Sequence, residues 1–378
     1  MKRFSASLIA LLILTCGMLP AASFAQAKKT TTAAAASKTT KATNDPLAVL
    51  PESDGVVTID AQRLLNDMLP QVLADNPTKL AEINARIDQA KTRTGIDVRA
   101  FERVAVGMRF VNTTPDKLAV ESVALARGSF NSQAMINAGL LATKDKYKYT
   151  EQKYGGKTLY VFNADELFGK AQLPQATIDA ETRKAGGKAA QVADDLLQKI
   201  MNFKGEVAVA ALDANTLAIG QPARVRAAID AGAGRGRVAA ALTQLATRTP
   251  DAVIGFGANA PSNVSKYFGL DPTDDISKTI DTIRQVYGSV TSTGGGFEMQ
   301  AFARTDTQAQ AQEVYNTLAG FKDLGGFFVS NLSGDKGKLA KSALENLKIT
   351  KAANEVQLSL ALAQADVAML VRVFDKRN

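Results

Sequence analysis

The sequence contains no histidine and no tryptophan, and its only cysteine is Cys16. Histidine is the usual general base near neutral pH, the usual partner of a catalytic serine and the commonest zinc ligand. Its absence excludes Ser-His-Asp hydrolases and histidine-based metal centres. Because Cys16 lies in a segment that we expect to be removed, thiol nucleophiles and disulfides are excluded as well. The sequence therefore predicts no catalytic residue, no metal site and no cofactor.

Catalysis would have to rely on carboxylates, lysine, tyrosine, serine or threonine, as in glycosidases and Ser-Lys hydrolases. No phosphate-binding motif is complete. The run YGGKT at positions 154–158 resembles the end of a P-loop, but Glu151 stands where that motif requires glycine. Since strand-like residues flank Gly155 and Gly156, this run instead predicts a β-hairpin.

The N-terminus has the layout of a secretory signal peptide. Lys2 and Arg3 precede an unbroken apolar run at 8–14, and small residues end at Ala25. The run is too short to span a bilayer comfortably. Residues 1–25 therefore predict an export signal cleaved near Ala25, and residues 26–45, rich in lysine, threonine and alanine, predict a disordered tether. We expect a periplasmic or extracellular protein.

The formal net charge of +8 comes largely from this N-terminal region. Six basic residues and one acidic residue stand in the first 45 positions, so the remainder carries 39 basic and 36 acidic residues. A nucleic-acid-binding protein needs a concentrated basic face, which this balance does not suggest. The sequence predicts no nucleic-acid partner, and membrane contact only at the periphery through the basic tether.

Four stretches share the order strand, turn, strand, helix, in which period-2 alternation gives way to helical spacing. The clearest is EVAVAALDANTLAIGQPARVRAAI, from Glu206 to Ile229. The others begin near positions 102, 286 and 344, and Asn131 and Asp306 are the predicted N-caps of two of their helices. Such units predict an α+β fold, with an antiparallel sheet built from β-hairpin–helix repeats and helices packed on one face.

A coarser similarity relates two parts of the chain. Residues 50–65 and 249–268 each read as a strand followed by a helix, and each leads into a hairpin–helix unit. The chain is therefore either two tandem α+β halves, at 46–237 and 238–378, or one continuous domain. If the halves are real, an apolar crevice between them is the expected ligand site.

The phrase LPESDGVVTIDAQRLLNDMLP at positions 50–70 follows the signal peptide and the tether. It resembles the opening of a loose group of uncharacterised exported bacterial proteins, which share a similar Leu-Pro, strand, Asp, helix pattern. The resemblance implies an exported location and this fold class, and it implies no activity.

Two places are candidate binding sites. The predicted hairpin from Lys144 to Tyr160 carries four of the seven tyrosines, with interleaved lysines that suit a glycan, an anionic polymer or a partner protein. The alternative is a half-buried hairpin whose lysines guard a sheet edge. The second place, GGFF at 325–328, is either an apolar loop tip or the buried end of a helix. The candidate residues are Lys146, Tyr147, Lys148, Tyr149, Tyr154, Lys157, Phe327 and Phe328.

The missing catalytic residue types favour a non-enzymatic envelope protein that acts as a binding, carrier or assembly module. Its partner would be an envelope protein, a glycan or an apolar small ligand. Two alternatives stay open: a secreted hydrolase that uses carboxylates or Ser/Lys, and a homomeric structural domain.

Overall fold

A computed structural model describes residues 45–94, 97–114, 117–144, 147–167, 205–267, 270–294, 296–329 and 334–375. The predicted signal peptide and all of the tether except Asp45 lie outside these residues. So does Lys146, whereas the backbone at Phe327 and Phe328 is described and their side chains are not.

The described residues form one antiparallel sheet of twelve strands, which confirms the predicted α+β class. The strand order is β11-β12-β10-β9-β8-β1-β2-β3-β7-β6-β5-β4. The strands are β1 Gly55–Asp60, β2 Phe101–Thr114, β3 Lys117–Gly128, β4 Tyr149–Tyr154, β5 Lys157–Asn163, β6 Glu206–Asp213, β7 Thr216–Gly220, β8 Ile254–Asn259, β9 Ile283–Thr293, β10 Gly296–Thr305, β11 Leu347–Ala352 and β12 Glu355–Ala363.

Helices connect many of these strands. A π-helical turn, Leu64–Met68, joins the first two helices into one helical stretch, and 3₁₀ turns lie at Pro46–Val49 and Val98–Ala100. The described helices are α1 Ala61–Arg63, α2 Leu69–Val72, α3 Pro77–Thr94, α4 Ser132–Thr143, α5 Ala164–Leu167, α6 Pro222–Gly232, α7 Ala240–Ala246, α8 Val264–Tyr267, α9 Asp275–Ile280, α10 Gln308–Val329, α11 Gly334–Asn346 and α12 Gln364–Asp375.

The stretch from Glu206 to Ile229 folds as predicted, into β6, β7 and α6. The Asp213 carboxylate accepts the backbone N–H of Asn215 at 2.8 Å and so stabilises the turn between the strands. Pro222 opens α6, where its fixed φ suits the first helical turn. The hairpin at Gly155-Gly156 is also confirmed, and both glycines have the positive φ that its tight turn requires.

Helices pack on both faces of the sheet, so the prediction of helices on one face alone is wrong. Adjacent strand residues point to opposite faces, and both sets are apolar in β5, β6 and β7. In β5, Leu159 and Val161 pack with α6, whereas Phe162 packs with α4 on the other face. A strand that is apolar on both sides needs cover on both sides to keep its side chains from water.

The expected apolar crevice between two halves is also wrong, because strands β1 and β8 pair directly there. Five residue pairs join them, from Gly55 opposite Ala258 to Ile59 opposite Ile254. Helix α7 covers this seam at very close range: a Cβ added to Gly255 would lie 2.0 Å from the carbonyl oxygen of Ala246. The sheet therefore continues across the predicted boundary at residue 237 without a gap.

Candidate functional site

The tyrosines of the β4–β5 hairpin divide between the two faces of the sheet. On one face the Tyr149 ring lies 5.8 Å from that of Tyr160 and 5.6 Å from that of Phe162. Tyr147 packs against the same cluster, as predicted from its spacing to Tyr149. Tyr154 lies on the other face, so the hairpin does not gather its tyrosines into one binding surface.

Tyr154 is engaged by helix α6. Its hydroxyl donates to the Asp230 carboxylate at 2.7 Å, and the Arg226 guanidinium lies 6.0 Å from its ring centroid. The hydrogen bond to Asp230 raises the pKa of the Tyr154 hydroxyl above its usual value. These contacts attach the sheet edge to the helix, which is a structural role.

Of the hairpin lysines, Lys148 is exposed, whereas Lys157 lines an open depression of about 350 Å³ beside the start of α4. The polar groups there are used within the fold. Asn131 caps α4 by accepting the N–H of Ala134 at 2.8 Å, and the Ser132 hydroxyl bonds to the Asp213 carbonyl. Because Asn131 and Ser132 already have partners within the fold, the depression offers few free polar groups to a ligand.

Phe327 and Phe328 belong to helix α10, which continues to Val329, so the interpretation as a loop tip is wrong. Nearby on this helix, apolar side chains are exposed and a lysine is buried. Phe321 and Leu324 are exposed, whereas Lys322 is buried and its burial lowers the pKa of its amine. Nothing in the described residues shows what covers the two apolar side chains.

Strands β10, β11 and β12 are covered by helices on one face and carry mainly polar side chains on the other. The helices that contact β10, β11 and β12 are α10, α11 and α12, and they bury one set of alternating side chains, including Met299, Val356 and Leu360. Among the described residues, no buried cluster covers the opposite set beyond Phe302. We call this opposite set the polar face, and it comprises Lys348, Thr350, Gln300, Phe302, Arg304, Glu355, Gln357 and Ser359.

The polar face is arranged in rows across the strands. Phe302 lies opposite Gln357, which lies opposite Thr350. In the next row, Gln300 lies opposite Ser359, which lies opposite Lys348. Neighbouring strands are about 4.8 Å apart and rows about 6.8 Å apart, so these groups form a regular grid. The side chains of Gln357, Ser359 and Thr350 have no hydrogen-bond partner within the described part of the chain.

A fixed cluster lies at one end of the polar face, beneath the end of α7. The fully buried Tyr287 ring stacks on Phe302 at 4.9 Å, and the Arg248 guanidinium lies 5.0 Å from both ring centroids. Arg304 donates to Glu355 through Nε at 2.8 Å and Nη2 at 2.6 Å, and its Nη1 donates to Gln285 at 2.7 Å. Ring stacking holds Tyr287 and Phe302 in place, and Arg304 is held by two N–H groups that donate to one oxygen of Glu355.

The ionisation states of the cluster are fixed by its contacts. Burial raises the pKa of the Tyr287 hydroxyl to about 12, and the neighbouring Glu355 adds to this rise. Burial alone would raise the pKa of the Glu355 carboxyl, but hydrogen bonds from Tyr287 and Arg304 hold that pKa below its usual value. At neutral pH the tyrosine is therefore neutral and the carboxylate ionised, and neither is suited to proton transfer.

Glu298 and Glu355, the acidic residues of β10 and β12 on the polar side of the sheet, do not form a catalytic pair. Glu298 lies six residues from Arg304 along β10, and Arg304 is opposite Glu355. The two carboxylates are thus roughly 20 Å apart by strand geometry. The acid and base of an inverting glycosidase are about 6.5 to 9.5 Å apart, and those of a retaining one are closer. Within the described ranges, no three acidic side chains gather as metal ligands would.

The members of this cluster were not predicted from the sequence, because they are far apart in the chain, at positions 248 to 355. A readable signal was present in the strands themselves. In β12 every second residue is polar, from Glu355 through Gln357 to Ser359, and β10 shows a similar alternation that Phe302 interrupts. This pattern is typical of an antiparallel sheet that is covered on one face only.

No protein-family model matches the chain, and no curated protein matches its sequence. Among solved structures, it is similar to two crystal forms of a protein called TP0453. Form III has a TM-score of 0.44 at 11% sequence identity, over 88% of this chain and 99% of that one. Form I has a TM-score of 0.41 at 10% identity, over 88% and 98%. In the described residues, no helix is both long and apolar enough to cross a membrane.

Proposed function

We propose that this protein is an exported, non-enzymatic binding module of the cell envelope, and that the polar face is its binding surface. The observation that carries the proposal is the grid of Gln357, Ser359 and Thr350, whose amide and hydroxyl groups are unpaired within the described residues and share one face. A sheet face of this kind, with an ordered aromatic–arginine cluster at one end, offers a ligand preoriented hydrogen-bonding groups.

The chemistry of the grid favours a glycan over the other partners considered. Amides and hydroxyls both donate and accept hydrogen bonds, which matches the hydroxyl groups of a sugar chain. The partly exposed ring of Phe302 adds an apolar surface beside them. An apolar small ligand would need an apolar cavity, whereas the polar face is a sheet surface of amide and hydroxyl groups.

A hydrolase is disfavoured by the same site. Glu298 and Glu355, the acidic residues of β10 and β12 on that side of the sheet, are too far apart to act as a pair, and Glu355 is held ionised by Arg304. The export part of the proposal is supported by the basic, apolar and small-residue layout of positions 1–25. Mass spectrometry of the protein purified from its own host's envelope tests it: a mature chain beginning near residue 26 is expected, and an intact Met1 contradicts export by cleavage.

We also infer that the sheet consists of two related halves with an extra hairpin in the first. From the seam outward, β1-β2-β3-β7-β6 on one side corresponds to β8-β9-β10-β12-β11 on the other. A helix follows the hairpin at corresponding points, α6 after β7 and α12 after β12. Strands β4 and β5 extend the first half beyond β6. The matching strand order supports an internal duplication, with the polar face present in one half only.

The test of the binding proposal is calorimetry with neutral oligosaccharides: chitotetraose, cellotetraose and mannotetraose. We expect at least one to bind the wild-type protein and binding to be lost in the triple variant Gln300→Ala, Gln357→Ala, Ser359→Ala. The matched control is Lys148→Ala, Tyr149→Ala, Lys157→Ala in the β4–β5 hairpin, which should bind normally. Binding that survives the first variant and disappears in the second would move the site to the hairpin.

A further inference from the structure

Arg248 lies at the end of the polar face, and only part of its guanidinium is engaged by hydrogen bonds. It follows helix α7, and its Nη1 donates to the Tyr287 hydroxyl. The same nitrogen lies 3.5 Å from the Glu355 carboxylate. Its Nε and Nη2 have no hydrogen-bond partner among the residues that the structure describes, and its side chain is 46% exposed.

The guanidinium is nevertheless fixed in direction. It lies 5.0 Å from the centroids of both Tyr287 and Phe302, and these two rings are themselves stacked. Contact with the two rings and the hydrogen bond to Tyr287 restrain the guanidinium without using its Nε and Nη2 donors. Because the guanidinium is already ordered, a ligand that binds those donors loses less side-chain entropy than it would with a free arginine.

The cluster also has an excess of positive charge, which favours an anionic ligand. Arg304 is matched by Glu355, through two hydrogen bonds, whereas Arg248 adds a second positive charge to the same carboxylate. The cluster therefore carries one uncompensated positive charge beside the grid of neutral amides and hydroxyls. A planar, two-donor cation of this kind is complementary to a carboxylate.

We infer that the glycan bound by the polar face is acidic, and that Arg248 receives a carboxylate of one of its sugar units. The inference rests on the proposed function and deepens it. The hydroxyls of the sugar chain would lie along the rows of Gln357 and Ser359, and its carboxylate would meet the outer edge of Arg248 in a two-point contact.

The experiment compares tetragalacturonate with its fully methyl-esterified form, which keeps the sugar chain and removes the charge. By calorimetry at low salt, the wild-type protein should bind the acid roughly tenfold more tightly than the ester, the lower end of the range for a charge-assisted contact at a half-exposed site. The preference should shrink in 0.5 M NaCl. In Arg248→Gln this preference should vanish, because the acid should lose more affinity than the ester.

Two further variants separate charge from geometry. Arg248→Lys keeps the charge but loses the planar fork, so only part of the preference should remain. Arg284→Gln is the matched control, since Arg284 is equally exposed at 46% and is paired with Asp306. It should keep the full preference and its salt dependence. A purely structural role for Arg248 would change the affinity for acid and ester alike.

Equal binding of acid and ester by the wild-type protein would overturn this inference and leave the proposed function intact. Failure to bind either probe would also overturn it, and the neutral panel above then decides the proposed function separately. Binding of the acid with full preference by Arg248→Gln would place the carboxylate elsewhere.

Discussion

The two sides of the β1–β8 seam differ in how they are covered. Strands β5 to β7 are enclosed by α4 on one face and α6 on the other. Strands β10, β11 and β12 are packed by helices on one face, and the described residues leave the other face polar and partly exposed. The enclosed strands are apolar at both parities, and β12 alternates, so the sequence of each strand determines how many layers form around it.

The largest expected effects are losses of folding stability when buried side chains in the two regions are truncated. In β5, Leu159→Ala and Phe162→Ala should each lower the free energy of unfolding by about 2 to 5 kcal/mol, because the two side chains are buried on opposite faces. In β12, Leu360→Ala should cost a similar amount, whereas Gln357→Ala should change stability by about 0.5 kcal/mol or less. Urea denaturation measures all four.

A large loss of stability in Gln357→Ala would contradict this comparison. It would mean that the polar face is covered by some other part of the molecule.

The next effect concerns pH above neutrality and belongs to Tyr287. Its pKa is raised to about 12, against an ordinary value of about 10, so the folded state favours the neutral hydroxyl. The resulting stability, about 2 to 3 kcal/mol, is present below pH 10 and is lost as pH rises through about 12. Denaturation of wild type and Tyr287→Phe between pH 9 and 12 should show the wild type losing more.

Ultraviolet titration at the tyrosinate band provides the control for this prediction. A tyrosine step near pH 12 should be present in the wild type and missing in Tyr287→Phe, whereas Tyr154, whose pKa is also raised, should titrate alike in both proteins. A single step near pH 10 in the wild-type protein would show that the Tyr287 site is open to water.

A smaller effect is expected on the acid side from Glu355. Its pKa is held below the ordinary value of about 4.3, so its contribution to stability is present above that pH and is lost as pH falls through the folded-state pKa. Glu355→Gln should therefore destabilise the protein by about 1 kcal/mol at pH 7 and by less at pH 3. Thermal unfolding at the two pH values measures this. A difference that grows toward low pH would contradict the ion pair with Arg304.

The sequence was sufficient for the local elements and insufficient for their assembly. Asn131 was correctly predicted as a helix N-cap, because the Asx side chain and the following helix are neighbours in the chain. The prediction that Asp306 is the N-cap of α10 was wrong. Thr307 Oγ1 accepts the N–H of Gln310 at 3.2 Å, whereas the Asp306 carboxylate accepts from Arg284 Nε at 2.7 Å. The cap is therefore one residue further along, and Asp306 pairs with an arginine 22 residues earlier in the chain, a partner that the local pattern does not show.

The candidate site shows the same limit. The tyrosines of the β4–β5 hairpin were visible as a dense local pattern, and the structure spreads them over two faces. The cluster around Tyr287 combines residues from α7's end, β9, β10 and β12, which become neighbours only through the strand order. Period-2 polarity in β12 indicated an open face, but pairing across strands was needed to show which groups share it.

The most direct test of the central claim places a reporter on each candidate surface. The exported chain predicted from the sequence has no cysteine, so Lys348→Cys at the edge of the polar face and Lys148→Cys on the hairpin can each carry one environment-sensitive fluorophore. Titration with the oligosaccharide that binds in calorimetry should shift the emission at position 348 and leave position 148 unchanged. A shift at position 148, with none at 348, would contradict the assignment of the polar face as the binding surface.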